Sequence, residues 1–358
     1  MRSLIEPHEL SRILDAFHTD LLMGSYVGDN DRLGSIRLQN GFLSSPLSEL
    51  VAFFFLNDSV FEKVLENVFS KEALRDLEPF VRRSGTTIRL EQHRLAFQGG
   101  CYFLCHTKEE NGFAYHGADS LALGRITQRC SGRILDVCTG VGVQGISLAR
   151  RGATVECLDI NGDCEELFWF NAALNGVTDR VSFQVGTIED VDSERFDCVV
   201  CNPPLLPVPL GIRFPPVGHG GADGLQVLLP VLRRCNELLR PAGQVRFVCT
   251  VPGSSDGPDL SSLAAAAKQG RLSLDLIVPC RAPLEPGQDM FEGLTRTAIL
   301  AGSDATEARR AYSKHFLGMG ASHLYSILGA AVRSSGKEAT QRMRVSQHFG
   351  LNRSFWAL

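Results

Sequence analysis

The amino-acid sequence predicts an α/β protein with a mostly parallel sheet, preceded by a smaller α+β unit. The main evidence is a regular alternation of short apolar segments with amphipathic ones after residue 115, because strands that alternate with helices form parallel sheets. A glycine-rich turn follows the first of these apolar segments. A later segment ends abruptly in Asn202-Pro203-Pro204-Leu205, where two prolines cannot continue a strand ladder. Both features fall where an open α/β sheet binds ligands.

A repeated strand–helix pattern is predicted in this alternating region. We expect strands at 133–137, 154–158, 181–185, 196–201, 244–250, 272–278 and 294–301, and helices at 143–151, 164–175, 225–239 and 260–269. The last strand is expected to pair antiparallel with the one before it. A C-terminal helical extension is predicted over 303–358, although it contains Gly318 and Gly320.

The N-terminal part of the chain shows a different pattern. Apolar residues recur at three- and four-residue spacing in 9–22 and 59–69, which predicts helices, whereas short strand-like segments follow between 87 and 106. We therefore expect a separate unit over 1–114 that covers the ligand site and selects the substrate. The main α/β domain is expected over 115–302.

Composition and charge favour a globular protein of the cytoplasm. The net charge of −4 on 358 residues disfavours a protein that wraps nucleic acid. The 11 cysteines form an odd, scattered set, so free thiols are expected, and we find neither a signal peptide nor an apolar run long enough for a membrane span. Cys198 and Cys201 point to opposite faces of one strand, so core packing is favoured and no metal site is expected.

The glycine-rich turn predicts a nucleotide-type ligand. Gly140 and Gly142 allow a tight turn, and the helix that follows offers free N–H groups. Together with Gly145 they formally match the dinucleotide pattern, so a nicotinamide oxidoreductase has to be considered. Two carboxylates argue against it: Asp136 precedes the turn, where it suits the amino group or an ordered water of a zwitterionic ligand, and Asp159 closes the second strand, where it suits a ribose diol.

Acidic residues on both sides of the turn, without a basic group for phosphate, describe a pocket for S-adenosylmethionine, and this constellation resembles class I methyltransferases. The resemblance implies a Rossmann-like, seven-stranded, mostly parallel sheet and a catalytic domain over 115–302. It also implies that the end of the third strand positions the adenine ring. Cys138 stands where glycine is most common in that family. The cofactor residues implied are Asp136, Cys138, Thr139, Gly140, Gly142, Asp159, Ile160, Ile188, Glu189 and Asn202.

The Asn-Pro-Pro turn resembles that of amino-methyltransferases that alkylate planar nitrogens, namely adenine N6, guanine N2 and the glutamine side-chain amide. Such a nitrogen is a poor nucleophile because its lone pair is delocalised. The Asn202 side-chain oxygen and the Pro203 carbonyl can accept hydrogen bonds from its two N–H groups, and Pro204 stiffens the turn. No general base is then required, because the nitrogen becomes acidic only as it acquires positive charge.

A segment after this turn narrows the acceptor. His219-Gly-Gly-Ala-Asp223-Gly-Leu resembles a segment of release-factor-type glutamine N5-methyltransferases, and Asp223 either caps the next helix or binds a substrate group. Two features differ from that family: Leu205 stands where an aromatic residue is usual, and the N-terminal unit ends in strands. The substrate residues expected are Tyr115, His116, Leu205, His219 and Asp223.

Three classes of function are open at this stage. The favoured one is an S-adenosylmethionine-dependent N-methyltransferase acting on an amide or guanidino nitrogen of a protein or an amino-acid-derived small molecule. A nucleic-acid base is its alternative acceptor. A catalytically silent binding protein on the same fold is the second class, and the nicotinamide enzyme is the third.

Overall fold

The computed structural model describes residues 12, 14, 41, 43, 45–107, 113, 115–193, 196–333 and 343–347. Apart from residues 12 and 14, the helix expected over 9–22 lies outside this part of the chain, as does the end of the expected extension, 348–358. Within the described residues, no helix combines the length and the apolar composition needed to cross a bilayer.

In its described residues, the N-terminal unit combines three helices with two small antiparallel sheets. The helices are α1 (Leu47–Phe54), α2 (Glu62–Val68) and α3 (Lys71–Leu77). One sheet has the order β1-β3-β2 and contains β1 (Val60–Phe61), β2 (Val81–Ser84) and β3 (Thr87–Leu90). The other is the hairpin of β4 (His93–Gln98) and β5 (Cys101–His106). The expected change from helices to strands is therefore confirmed.

Within the described ranges, eight strands form the central sheet. They are β6 (Arg133–Val137), β7 (Thr154–Asp159), β8 (Val181–Val185), β9 (Phe196–Cys201), β10 (Leu239–Gly253), β11 (Leu272–Pro283), β12 (His323–Arg333) and β13 (Met343–Gln347). Their spatial order is β13-β11-β12-β10-β9-β6-β7-β8. Neighbouring strands are parallel except for β12, which runs antiparallel to β10 and β11. The prediction of a mostly parallel sheet is confirmed, with one strand more than the seven expected.

Helices cover both faces of this sheet. They are α4 (Ala118–Ile126), α5 (Val143–Arg150), α6 (Glu165–Leu174), α7 (Leu228–Leu238), α8 (Ser261–Gln269), α9 (Asp289–Leu300) and α10 (Ala305–Gly318). On one face, Ile146 and Phe168 belong to the same apolar core as Phe54 and Leu104 of the N-terminal unit. A second core buries α7 and α8 on the other face. The N-terminal unit thus packs directly on the main domain, and the boundary at residue 114 stays a prediction.

Two predictions about the C-terminal third are wrong. The segment expected as the last strand, 294–301, lies almost entirely in α9, where Met290, Phe291, Leu294 and Ala298 are buried at helical spacing. The C-terminal extension over 303–358 was expected to be helical. It forms the helix α10, but the chain then continues as the strand β12 in the interior of the sheet. Because most of β12 is buried on both faces, its sequence lacks the alternation that marks a half-exposed strand.

Two asparagines on α6 and at its C-terminal end attach the hairpin to the main domain. The Asn171 carboxamide accepts from the Leu104 amide at 2.7 Å and donates to the carbonyls of Leu104 (3.2 Å) and Val141 (3.1 Å). One turn later, Asn175 pairs with the amide (3.0 Å) and carbonyl (2.7 Å) of Tyr102. Each side chain therefore satisfies backbone groups of β5 that a neighbouring strand would otherwise pair.

We predict that Asn171→Ala lowers the free energy of unfolding by about 2–5 kcal/mol, because it leaves buried backbone groups of Leu104 and Val141 without partners. Chemical denaturation measures the loss. Asn236→Ala is the matched control, since this half-buried helical asparagine accepts from Arg333 and its loss should cost about 1 kcal/mol or less. Equal losses in the two variants would contradict the role given to Asn171.

Candidate active site

A cavity of about 1660 Å³ opens at the carboxyl ends of β6, β7 and β9, where an open α/β sheet binds ligands. One half is lined by the turns that follow β6, β7 and β8. The other half is lined by the Asn-Pro-Pro turn, the start of α4, the end of the hairpin and α9. Most of the expected site residues belong to the cavity wall, namely Tyr115, His116, Cys138, Thr139, Gly140, Asp159, Ile160, Ile188, Glu189, Asn202, Pro203, Pro204 and Leu205. Four expected residues are not part of it: Asp136, Gly142, His219 and Asp223.

Asp136 connects the end of β6 to the glycine-rich turn. Its Oδ2 accepts hydrogen bonds from the Thr139 hydroxyl at 2.6 Å and the Gly145 amide at 2.8 Å. Burial, opposed by the hydrogen bonds from Thr139 and Gly145 and aided by the charge of Asp159, raises the pKa of Asp136 to about 7. Because the side chain is buried and does not line the cavity, it stabilises the turn from within the protein. This position differs from the expected contact with the amino group of a ligand.

The turn contains three residues in the left-handed backbone region. Cys138, Gly140 and Gly142 have φ angles of 60°, 53° and 89°, and Gly142 is the N-cap residue of α5. The left-handed region costs an L-residue with a Cβ atom about 1–2 kcal/mol. This cost explains why glycine suits position 138 better than cysteine does, and why positions 140 and 142 are glycines.

Asp159 ends β7 and faces the cavity. Its Oδ2 accepts from the Gly140 amide at 2.8 Å and its Oδ1 from the Asn161 amide at 2.9 Å. Burial raises the pKa of Asp159, and these amide hydrogen bonds oppose the effect. A carboxylate offers about four acceptor positions, so acceptor capacity remains for other donors such as the hydroxyls of a ribose.

Apolar and acidic side chains complete this half of the cavity. Ile160 is 75% exposed, whereas Ile188 is 5% exposed and starts the short 3-10 turn Ile188–Asp190. Arg234 anchors this turn by donating to the Ile188 carbonyl. Among the described residues that line the turns after β6, β7 and β8, none is an arginine or a lysine. This half therefore offers no side-chain cation for a pyrophosphate, which disfavours a nicotinamide dinucleotide.

The Asn-Pro-Pro turn follows β9 and faces the other half. Asn202 Nδ2 donates to the Ser120 Oγ at 3.1 Å, and the Asp119 carboxylate also accepts a hydrogen bond from the Asn202 side chain. The Asn202 Oδ1 is buried and has no partner among the described residues. Because an unpaired buried acceptor is costly and uncommon, this oxygen marks a position suited to a donor from a bound molecule.

The segment at 219–225 packs against the Asn-Pro-Pro-Leu turn. The Gly220 amide donates to the Leu206 carbonyl at 2.9 Å. A Cβ atom on Gly224, whose φ is +82°, would lie 2.6 Å from the Leu205 carbonyl oxygen, so glycine is needed for this close approach. On the outside, the His315 imidazole contacts the Ala222 carbonyl at 2.7 Å. The segment therefore supports the backbone of the turn.

Neither polar residue of this segment reaches the cavity wall. His219 Nδ1 accepts from the Gly221 amide at 3.3 Å, and Asp223 Oδ1 accepts from the Leu225 amide at 3.0 Å. Since α7 begins only at Leu228, Asp223 stabilises a turn and does not cap the helix. The capping hypothesis is wrong, and the structure places both residues away from the contacts expected with a substrate.

Tyr115 and His116 line the cavity from the segment before α4. The Tyr115 hydroxyl donates to Asp119 at 2.8 Å. His116 Nε2 lies 3.0 Å from Gln98 Oε1, a carbonyl oxygen that only accepts, so Nε2 carries the proton. Burial lowers the pKa of His116 to about 3, so its imidazole is neutral at pH 7.

Sequence reasoning missed two polar residues and one wall of the cavity. Asp119 and Ser120 belong to the first turn of α4, and an acidic residue followed by serine at the start of a helix was the available signal. The wall formed by α9, which includes Arg296 and Thr297, was missed because that segment was predicted to be a strand.

The strand order, the glycine-rich turn after β6 and the carboxylate at the end of β7 define a class I methyltransferase fold. Residues 111–207 match the family model described as the methyltransferase small domain. The matched part of the chain carries the glycine-rich turn, Asp159 and the Asn-Pro-Pro turn.

Curated relatives extend the likeness. A ribosomal protein uL3 glutamine methyltransferase of Bradyrhizobium diazoefficiens is 32% identical over 31% of this chain and 38% of its own length. A release factor glutamine methyltransferase of Clostridium acetobutylicum is 29% identical over 37% of this chain and 50% of its own. A tRNA1(Val) (adenine(37)-N6)-methyltransferase of Aeromonas salmonicida is 27% identical over 37% and 58%. The chain thus spans between 38% and 58% of the length of these relatives.

We predict that Asp136 makes the stability of the protein depend on pH. Its folded-state pKa of about 7 lies above that of an unfolded aspartate, about 3.9, so the folded protein holds the proton more tightly. The stabilisation is complete below about pH 4 and is lost as the pH rises through 7, by up to about 4 kcal/mol.

Asp136→Asn tests this prediction, because the amide oxygen can still accept from Thr139 and Gly145 while the ionisable group is gone. The free energy of unfolding, measured by denaturation between about pH 4 and 8, should fall less in the variant than in the wild type. Asp163→Asn, at an exposed position, should leave the pH dependence unchanged. A constant difference between wild type and Asp136→Asn over this range would contradict the raised pKa.

Proposed function

We propose that this protein is an S-adenosylmethionine-dependent N-methyltransferase that methylates a side-chain amide of the glutamine type on a protein. The observation that carries the proposal is the buried Asn202 Oδ1 just after β9, which has no partner in the described part of the chain. It belongs to the same cavity as the turns that suit the cofactor. A primary amide brings two N–H donors to such a site, and one of them can satisfy this oxygen.

The residues of the first half fit S-adenosylmethionine. The Asp159 carboxylate retains acceptor positions for ribose hydroxyls, and Ile160 and Ile188 supply apolar surface for the adenine ring. The glycine-rich turn allows the amino-acid end of the ligand to approach the backbone of Cys138 and Gly140. The cofactor, when bound, supplies an electrophilic methyl group.

The Asn-Pro-Pro turn orients the acceptor nitrogen. Asn202 Oδ1 accepts from one N–H group and the Pro203 carbonyl from the other, while Pro204 restricts the backbone that aims them. Both acceptors interact more strongly as positive charge develops on the nitrogen, so they stabilise the transition state more than the ground state. Once it has become cationic, the nitrogen gives up its proton to water, so no side-chain base is required.

Two observations favour a protein amide over a nucleic-acid base. Two of the relatives are named as glutamine methyltransferases of a ribosomal protein and a release factor. At the position after Pro204, this chain has the aliphatic Leu205 on the cavity wall, which cannot stack on a base as an aromatic ring at that position could. The relative named as a tRNA adenine methyltransferase makes a base the second candidate acceptor.

The N-terminal unit, 1–114, is proposed to take part in acceptor recognition. Its residues His106, Thr107 and Phe113 lie on the cavity wall, so a bound acceptor would meet them. We also propose that the protein acts in the cytoplasm, since all 11 cysteines are free thiols, as a reducing compartment maintains them.

We predict that purified protein transfers a labelled methyl group from S-adenosylmethionine to a bacterial release factor or ribosomal protein uL3. Digestion followed by mass spectrometry should recover the label as N5-methylglutamine. Label found only in total tRNA, offered in parallel, would show that the acceptor is a base. No transfer to any of the three, together with no calorimetric binding of the cofactor, would favour a silent binding protein.

Asn202→Ala is predicted to lower kcat by about 100- to 1000-fold, because it removes an acceptor that acts on the developing charge. The dissociation constant of S-adenosylhomocysteine, measured by calorimetry, should change by no more than about twofold. Asn236→Ala, at a residue that does not line the cavity, serves as the control and should retain its turnover. Near wild-type turnover in Asn202→Ala would show that this residue does not hold the acceptor.

Asp159→Ala is predicted to weaken the binding of S-adenosylhomocysteine by about 10- to 100-fold, because hydrogen bonds to an ionised carboxylate are lost. Asp163→Ala removes an exposed carboxylate from the next turn and should leave the affinity unchanged. Equal affinities in the two variants would mean that Asp159 is not a cofactor ligand. Calorimetric titration with NAD should show no binding to the wild type.

A further inference from the structure

We infer that Asp119 and Ser120 are positioning residues that fix the orientation of the Asn202 carboxamide. The inference rests on the proposed function, since it concerns how the acceptor clamp is oriented. A carboxamide has two ends of similar shape and opposite polarity: Oδ1 accepts hydrogen bonds and Nδ2 donates them. Only one of its two orientations presents an acceptor to a substrate N–H group, so the clamp works only if the other orientation is excluded.

The first turn of α4 supplies the groups that decide between the two orientations. Nδ2 of Asn202 donates to the Ser120 Oγ at 3.1 Å, and the Asp119 carboxylate accepts from the same side chain. A hydroxyl can donate or accept, so Ser120 alone would tolerate either end of the carboxamide. An ionised carboxylate only accepts, so Asp119 excludes Oδ1 from its side. Oδ1 is consequently the end that has no partner among the residues that the structure describes.

Asp119 is itself held from the opposite side. The Tyr115 hydroxyl donates to its Oδ1 at 2.8 Å. A Cβ atom on Gly117 would lie 1.8 Å from the Tyr115 hydroxyl oxygen, so glycine at 117 lets the tyrosine fold back over the segment. Tyr115, Asp119, Ser120 and Asn202 all line the cavity. These four side chains are connected by hydrogen bonds, and the acceptor in each bond fixes the orientation of the group that donates to it.

The surroundings of Asp119 act on its ionised form in opposite directions, and burial is the larger effect. Its position in the first turn of α4 places it near the positive end of the helix dipole. Burial raises the pKa of Asp119, whereas the hydrogen bonds from Tyr115, Asn202 and the backbone lower it. The carboxylate therefore depends on the same donors that it orients.

Asp119→Asn tests the inference because it preserves the shape of the side chain but adds a donor, so that Asn202 can turn over. With a bacterial release factor as the acceptor, we expect kcat to fall about tenfold, with little change in the dissociation constant of S-adenosylhomocysteine or in the melting temperature. In an Asn202→Ala background the same substitution should have no further effect. Losses that add in the two backgrounds would overturn the inference, because they would mean that Asp119 acts independently of Asn202.

An NMR measurement tests the positioning role of Asp119 and Ser120 without a methyl acceptor. In protein labelled with ¹⁵N-asparagine, the Nδ2 resonance of Asn202 is assigned by its absence in Asn202→Ala. This resonance should move in Asp119→Asn and Ser120→Ala and stay in place in Ser182→Ala, a control at an exposed position of β8. An unchanged resonance in Asp119→Asn would overturn the inference even if methyl transfer is observed. If none of the acceptors is methylated, that result would count against the proposed function. The Asn202 resonance would still test the positioning role of Asp119 and Ser120.

Discussion

The parallel pairing of β6 with β9 brings the two chemical parts of the site together. Its register places Asp136 opposite Val200 and Val137 opposite Cys201. Cys138 follows β6 and starts the glycine-rich turn, and Asn202 follows β9 and starts the Asn-Pro-Pro turn. Both turns therefore begin at the same edge of the sheet. Parallel strands always end on one edge, so a donor and an acceptor of a methyl group can meet there without any further rearrangement. A shift of one residue would reverse which face each side chain meets.

Three aspartates, one of them buried and two half-buried, organise the polar groups around this edge. Asp136 holds the glycine-rich turn, Asp159 joins that turn to the end of β7, and Asp119 faces Asn202. Burial raises the pKa of each, and the donors that surround each one oppose the shift. Because an unpaired carboxylate is costly in such surroundings, the donors are held in definite directions. Asp136 Oδ1 and Asn202 Oδ1 are both buried without a partner among the described residues, but of the two only Asn202 lines the cavity, where a substrate can reach it.

The cofactor half could be predicted because its signals are local. A glycine pair after a strand, an acid at the end of the next strand and a double proline each restrict the backbone or the chemistry at their own positions. The C-terminal third carries no such signals. The segment 294–300 suits either a strand or a helix by its short apolar pattern, and β12 is apolar on both faces, so periodicity alone could not separate them. Because this segment was assigned to a strand, the part of the cavity wall that α9 forms was not predicted.

By itself, the sequence determined the α/β class, the glycine turn and the position where β9 must stop, because glycine, proline and apolar periodicity act over a few residues. Only the tertiary structure decided which polar groups meet. It placed Asp136 inside the protein and Asp223 in a supporting turn, and it brought Ser120 to Asn202, which lies 82 residues further along the chain. Such contacts depend on how separate elements pack against one sheet. The spacing of two residues along the chain does not determine the distance between them in space.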